Sequence, residues 1–369
     1  MNIFPFQAVY PDLDFIASPD SFFGTVKENY VEYKENDFFK KTDREAIYIY
    51  QIKSKWRNYL GLVACADIED YLEGHILKHE NTLAPKEQQQ MQLLLNRKAM
   101  VKPILLTYPD VAYINELLQG YIEKHPPFLK THFEGEQSEH LFWQLDNESS
   151  IQKLQEVFRE HIGKSYIADG HHRSSTVALM YQRWKNRGGA NPFNRMLCAF
   201  FPASQLSIFD YNRIIEGLQE ISPTRFMAEL SQLCDVEVLA AATKPDAPHQ
   251  MVLCLDHEWY KLRWKPSVLR KYEHIDPLLD VSLLNEEILK GILQIEDVRT
   301  DPRVKYVEGP RGMEVLKNKT FKNEKRMAFL LYPVALGDLM RVADDGKVMP
   351  PKSTWFEPRV KNGLLVLEV

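Results

Sequence analysis

Four cysteines in 369 residues, none of them in a Cys-x-x-Cys pair, exclude a disulfide framework and a zinc knuckle. Cys65, Cys198, Cys234 and Cys254 read instead as small buried hydrophobes of a reducing compartment. No long hydrophobic run is present: the best, Met327 to Leu336, is short and broken by Pro333, so a bilayer span is not expected. The first residues, Met1 to Phe6, have neither a basic region nor an apolar core, so no signal peptide is expected and the cytoplasm is the expected location. There is no positive excess. A net charge of −5 argues against a general nucleic-acid binder. The sequence also lacks Gly-x-x-x-x-Gly-Lys-Ser/Thr, Gly-x-Gly-x-x-Gly and Gly-x-Ser-x-Gly, which removes the standard nucleotide loops and the hydrolase elbow. Internal repeats, heptads and low-complexity tracts are absent too.

What is present is a globular composition, 44% hydrophobic and 26% charged, long enough to predict two domains. We place them at 1–204 and 205–369, with the change of pattern after Pro202. Glu45 to Ile52 and Tyr59 to Cys65 are β-rich runs joined as a hairpin, and Asp67 opens a helix through Leu72. A polar helix is predicted from Pro85 to Lys98, a strand at Pro103 to Tyr108, and a helix from Asn115 to Lys124. Leu141 to Leu145 reads as a strand, and Ile151, Leu154, Phe158 and Ile162 mark an amphipathic helix. Past Pro202, helices are predicted at Ile214–Glu220, Thr224–Leu233 and Leu278–Ile292. Strands are predicted at Val236–Leu239, Gln250–Leu255, Trp259–Trp264 and Met327–Leu331. The class is mixed α/β.

The densest chemistry lies in Ile167-Ala168-Asp169-Gly170-His171-His172-Arg173. A β-prone run breaks at Gly170, and Val177, Ala178, Tyr181 and Trp184 then recur at helical spacing. With Met196 to Phe201 this makes a strand–helix–strand unit. A helix start carries unpaired N–H groups and the positive end of the dipole, a seat for phosphate or carboxylate. Asp169, Gly170, His171, Arg173 and Ser174 are the candidate phosphate-binding residues, and His172 is the candidate proton carrier. The same residues also suit a well-capped helix start with histidines satisfying backbone groups.

A second cluster is His75-Ile76-Leu77-Lys78-His79-Glu80. On a helix, His75 and His79 would share a face, but the pattern is neither zincin form, and a solvated, charge-rich helix face is the favoured reading over a metal pair. Glu80 is the better candidate, as a general base or magnesium ligand. In the tail, Lys352-Ser353-Thr354 and Arg359 form a third cluster: Lys352 and Ser353 follow two prolines and can reach a phosphate, although a proline-bounded turn before a last strand is the favoured reading of the cluster alone.

These motifs also carry a resemblance. Ala168 to Arg173, His79-Glu80-Asn81-Thr82 with Lys86-Glu87, Phe201 to Leu206, Tyr211-Asn212-Arg213 and Met349 to Thr354 occur in the order of the bacterial and archaeal family called domain of unknown function 1015. The likeness covers essentially the whole chain. Two positions depart from it: Ser174-Ser175-Thr176 stands where many members have Tyr-Glu-Thr, and Gln89-Gln90 replaces an acidic-arginine pair. The central turn further resembles the ParB and sulfiredoxin superfamily, whose members hold nucleotide phosphates at such a turn and include free-serine kinases. That resemblance implies a ParB/sulfiredoxin-like N-terminal domain followed by an α+β C-terminal domain. It implies binding of a nucleoside di- or triphosphate with Mg2+, and phosphoryl transfer to a small metabolite such as a hydroxy amino acid. A non-catalytic nucleotide sensor and a metal-dependent hydrolase using Asp169, His171 and His172 are the alternatives. The partner expected is a small molecule, not nucleic acid or membrane.

Overall fold

The computed structural model describes every residue except 186, 188, 219–220 and 323–325. It divides into two compact units, Met1–Ser207 with Pro358–Val369, and Ile208–Glu357. The first unit is therefore built from both ends of the chain.

Its core is a nine-stranded mixed sheet. From one edge the strands run Ile76–Leu77, Ser165–Asp169, Ile104–Tyr108, Arg195–Pro202, Asn58–Asp67, Ile47–Lys53, Ser138–Leu145 and Leu129–Phe133, and Ile3–Phe4 also pairs with Asn58–Asp67. The central strands carry continuous apolar runs buried on both faces, Leu62–Ala66 and Leu197–Phe201. Gly61 is required there. A Cβ on it would fall 2.3 Å from the Phe200 carbonyl oxygen.

The predicted hairpin forms, with Lys53 opposite Asn58. The predicted strand–helix–strand unit is also present, as Ser165–Asp169, His171–Trp184 and Arg195–Pro202. Its two strands are not neighbours, however. Ile104–Tyr108 lies between them, antiparallel to the first and parallel to the second. Asn147 caps the helix Glu148–His161 by accepting from the Ser150 N–H at 3.1 Å, and Ile151, Leu154, Val157 and Phe158 form its buried stripe.

The second unit holds a six-stranded antiparallel sheet in the order Cys234–Leu239, Glu258–Trp264, Gln250–Leu255, Arg326–Leu331, Tyr211–Glu216 and Val304–Glu308. Tyr211–Glu216 corrects the helix expected at Ile214–Glu220, whose last two residues lie outside the described residues. Flanked by strands on both sides, Tyr211-Asn212-Arg213-Ile214-Ile215 is held by a full ladder, and its apolar residues pack the interior. All four cysteines are buried and free. Among the described residues, no helix is long and apolar enough to cross a membrane.

Candidate functional site

The Ser165–Asp169 strand ends at Gly170, which adopts φ 114° and serves as N-cap of the helix His171–Trp184. Only glycine takes this backbone without strain. A Cβ there would also meet the Arg173 guanidinium at 2.9 Å, so the turn and the arginine are fitted to one another. The Gly170 carbonyl accepts from the N–H groups of Arg173 and Ser174, both at 2.9 Å, which starts the helix.

Arg173 is occupied. Its Nη2 donates to Asp169 Oδ2 at 2.9 Å, and its Nη1 donates to the carbonyl oxygens of Lys102 and Pro103. Lys102 Nζ reaches the same Asp169 oxygen at 3.2 Å. Burial by itself lifts the Asp169 carboxyl, but Lys102, Arg173 and Arg359 outweigh it and hold the group well below the usual carboxylate range. Burial pushes the Lys102 ammonium down to about 8; Asp169 opposes that shift, and Arg173 and Arg359 add to it. Three cations thus surround one carboxylate, a local positive surplus at a helix start.

The histidines serve the loop beside the turn. His171 is buried, its Nε2 accepts from the His79 N–H at 3.4 Å, and the two rings meet edge to face at 4.5 Å. Burial lowers His171 to about 4, against the pull of Asp169 and with help from His172, Arg173 and Lys78. His79 is held well below the ordinary histidine value, by burial first and by His171 second. His172 Nε2 accepts from the Leu83 N–H at 3.1 Å. This loop carries half-buried Glu80 between His79 and Leu83, both of which touch the turn's histidines.

The helix expected across His75 and His79 is absent. Ile76–Leu77 is an edge strand, parallel to Ser165–Asp169, so the two histidines do not share a helical face. Strand pairing there wins over a helical tendency that had no apolar stripe to support it. Among the described residues no group of three histidine, cysteine, aspartate or glutamate side chains is placed to hold a metal ion.

The serines of the departing motif have structural partners. Ser174 is buried and donates to the His171 carbonyl at 3.0 Å. Ser175 donates to the Glu87 carboxylate on the neighbouring helix Ala84–Arg97, and Thr176 reaches the Glu87 carbonyl at 3.4 Å. Hydrogen bonds from Ser175 and then Thr82 lower the Glu87 carboxyl. Lys352 and Ser353 belong to the second unit. There the Lys352 ammonium sits over the Tyr211 ring at 5.5 Å, and Ser353 donates to the Pro350 carbonyl at 2.6 Å.

Sequence reasoning passed over Lys102, and it named Arg359 without linking it to the turn. No local pattern marks either one, because they reach Asp169 across the fold. A cavity of about 260 Å³ opens beside Arg173 and Lys102.

Fold and turn together define a two-unit α+β protein whose first unit carries a cation-rich strand-to-helix turn. The chain belongs to the family described as "Protein of unknown function (DUF1015)", which matches residues 9–282. No curated protein matches it. Similar solved structures include SbnI with C-terminal truncation from Staphylococcus aureus, 11% identical over 81% of this chain and 85% of that chain, TM-score 0.41. A free serine kinase in complex with AMP is 11% identical over 83% and 91%, TM-score 0.42. A conserved hypothetical protein from Pyrococcus furiosus is 12% identical over 83% and 94%, TM-score 0.40.

Proposed function

We propose that the first unit binds a nucleotide by its phosphates at the Gly170 turn and uses it for phosphoryl transfer to a small hydroxyl-bearing metabolite. The observation that carries this reading is the pairing of two cations, Lys102 at 3.2 Å and Arg173 at 2.9 Å, with the single carboxylate of Asp169 at a helix start. Backbone N–H groups of His171 and His172 would face the phosphates, aided by the helix dipole. Arg173 then acts through Asp169 and the turn's shape, while Lys102 supplies the adaptable charge. Glu80 is the candidate base for the acceptor hydroxyl. Mg2+ would arrive with the nucleotide, held mostly by phosphate and water, with Glu80 its candidate protein ligand.

One observation favours a second reading, a nucleotide sensor without turnover. Both histidine Nε2 atoms at the turn already accept backbone N–H groups, so neither offers that nitrogen as a proton carrier. Calorimetric titration with ATP and ADP tests binding, and the Gly170→Ala variant is expected to lose it. Unchanged nucleotide affinity in that variant would overturn both readings. A phosphoryl-transfer assay with hydroxy amino acids, repeated on Glu80→Gln, then separates kinase from sensor.

A further inference from the structure

The cavity beside Arg173 lies along the flank of the helix His171–Trp184, lined by its second turn through Thr176 and Val177. Lys27, Arg97, Lys102 and Arg173 line it, and no carboxylate does so among the described residues. The carboxylates beside these cations are Asp169, bonded to Lys102 and Arg173, and Glu28, 3.5 Å from Lys27. The cavity therefore keeps a positive surplus. The Arg97 guanidinium is partly withdrawn from water, and burial lowers it while Glu28 opposes. Its Nε is fixed on the Leu93 carbonyl at 2.8 Å, which orients the guanidinium from the last turn of Ala84–Arg97. Leu94, Met100, Val177 and Leu197 supply apolar wall, and Gln90 and Asn362 add amide groups.

A pocket with apolar walls and a few convergent cations holds an anion attached to an apolar body, because the walls reject a fully hydrated ion. We propose that this cavity is a binding site for a small amphiphilic organic anion, an aromatic or aliphatic phosphate or carboxylate. Arg97 and Lys27 meet its charge and Leu94, Met100 and Val177 cover its body. The cavity shares Lys102 and Arg173 with the proposed nucleotide seat, but its lining does not include His171 or His172, and Arg97 and Lys27 belong to the cavity alone.

The test uses the full chain and naphthyl phosphate, with inorganic phosphate and naphthol as the two half-probes, by titration calorimetry. Naphthyl phosphate is expected to bind at one site and more tightly than either half-probe by about fivefold or more. Arg97→Gln should weaken it by at least about tenfold, the loss expected for a charged hydrogen bond. Val177→Phe, which fills the cavity, should abolish binding; if that variant does not fold, the Arg97→Gln comparison decides alone. A naphthyl phosphate affinity no better than that of inorganic phosphate, or one that Arg97→Gln changes less than this threshold, overturns the proposal. ATP titrated into the same Arg97→Gln variant reports on the turn, so the two sites fail separately.

Discussion

Asp169 in the first unit and Asp280 in the second each stand at the start of a helix, and the fold treats them oppositely. Lys102 and Arg173 are bonded to Asp169, and with Arg359 they keep it ionised against burial. Asp280 is buried beside two neutral N–H groups: the His249 backbone N–H donates to its Oδ2 at 3.0 Å, the Trp264 indole stands nearby without a hydrogen bond, and His249 Nδ1 lies 3.9 Å off. Burial pushes its carboxyl up to about 7, and those two N–H groups oppose the shift only partly. The difference shows that burial alone does not mark a site. What separates the two places is surplus charge of the opposite sign, and only the first unit's aspartate has it.

The largest test of that contrast is Asp169→Ala. It leaves Lys102 and Arg173 together without their carboxylate and should cost about 3 kcal/mol in urea unfolding, toward the low end for a broken buried pair because the group is partly exposed. A loss below about 1 kcal/mol would mean the cations do not depend on it. Asp280→Asn should act through pH instead. The folded carboxyl keeps its proton up to about 7 whereas the unfolded one releases it near 3.8, so parent stability falls as pH rises across that window. The variant should flatten that fall, and a pH profile parallel to the parent's would refute it. Asp169 has the opposite sign: its contribution is present above the unfolded carboxyl value and is lost as pH falls further into acid.

Gly170→Ala should destabilise by about 1–2 kcal/mol, from positive φ and the displaced guanidinium. Thermal unfolding measures it. The smallest effect concerns Lys102. With its ammonium lowered to about 8, it should acylate faster than exposed lysines at that pH, as read by peptide mass spectrometry. Asp169→Asn should accelerate it further, since the opposing carboxylate is then gone.

Much of this was legible locally. The hairpin, the capped helix Glu148–His161 and the glycine turn all follow from residue type and spacing within about a dozen positions. The turn's position and its positive charge were legible as well. What escaped was non-local. Ile76–Leu77 becomes a strand because Ser165 and Tyr166 pair with it. Tyr211–Glu216 becomes a strand because two distant partners flank it. Arg173 read as a free phosphate clamp because the carbonyl oxygens of Lys102 and Pro103 cannot be inferred from its neighbours in sequence. The cavity escaped for the same reason, since Lys27, Arg97 and Asn362 come from three separate segments.

The closing segment of the first unit has a consequence for synthesis. Leu367–Glu368 pairs with Ala99–Met100, Gly363 donates to the Val101 carbonyl, and Arg359 and Asn362 stand at the turn and the cavity. A nascent chain halted anywhere in 208–357 thus has most of the first sheet but lacks the residues that finish its electrostatics. The charge around Asp169 should therefore be complete only once residues 358–369 have been made, and cleavage before Pro358 should remove Arg359 together with the buried Val360, Leu364, Leu365 and Val366 and so loosen the first unit.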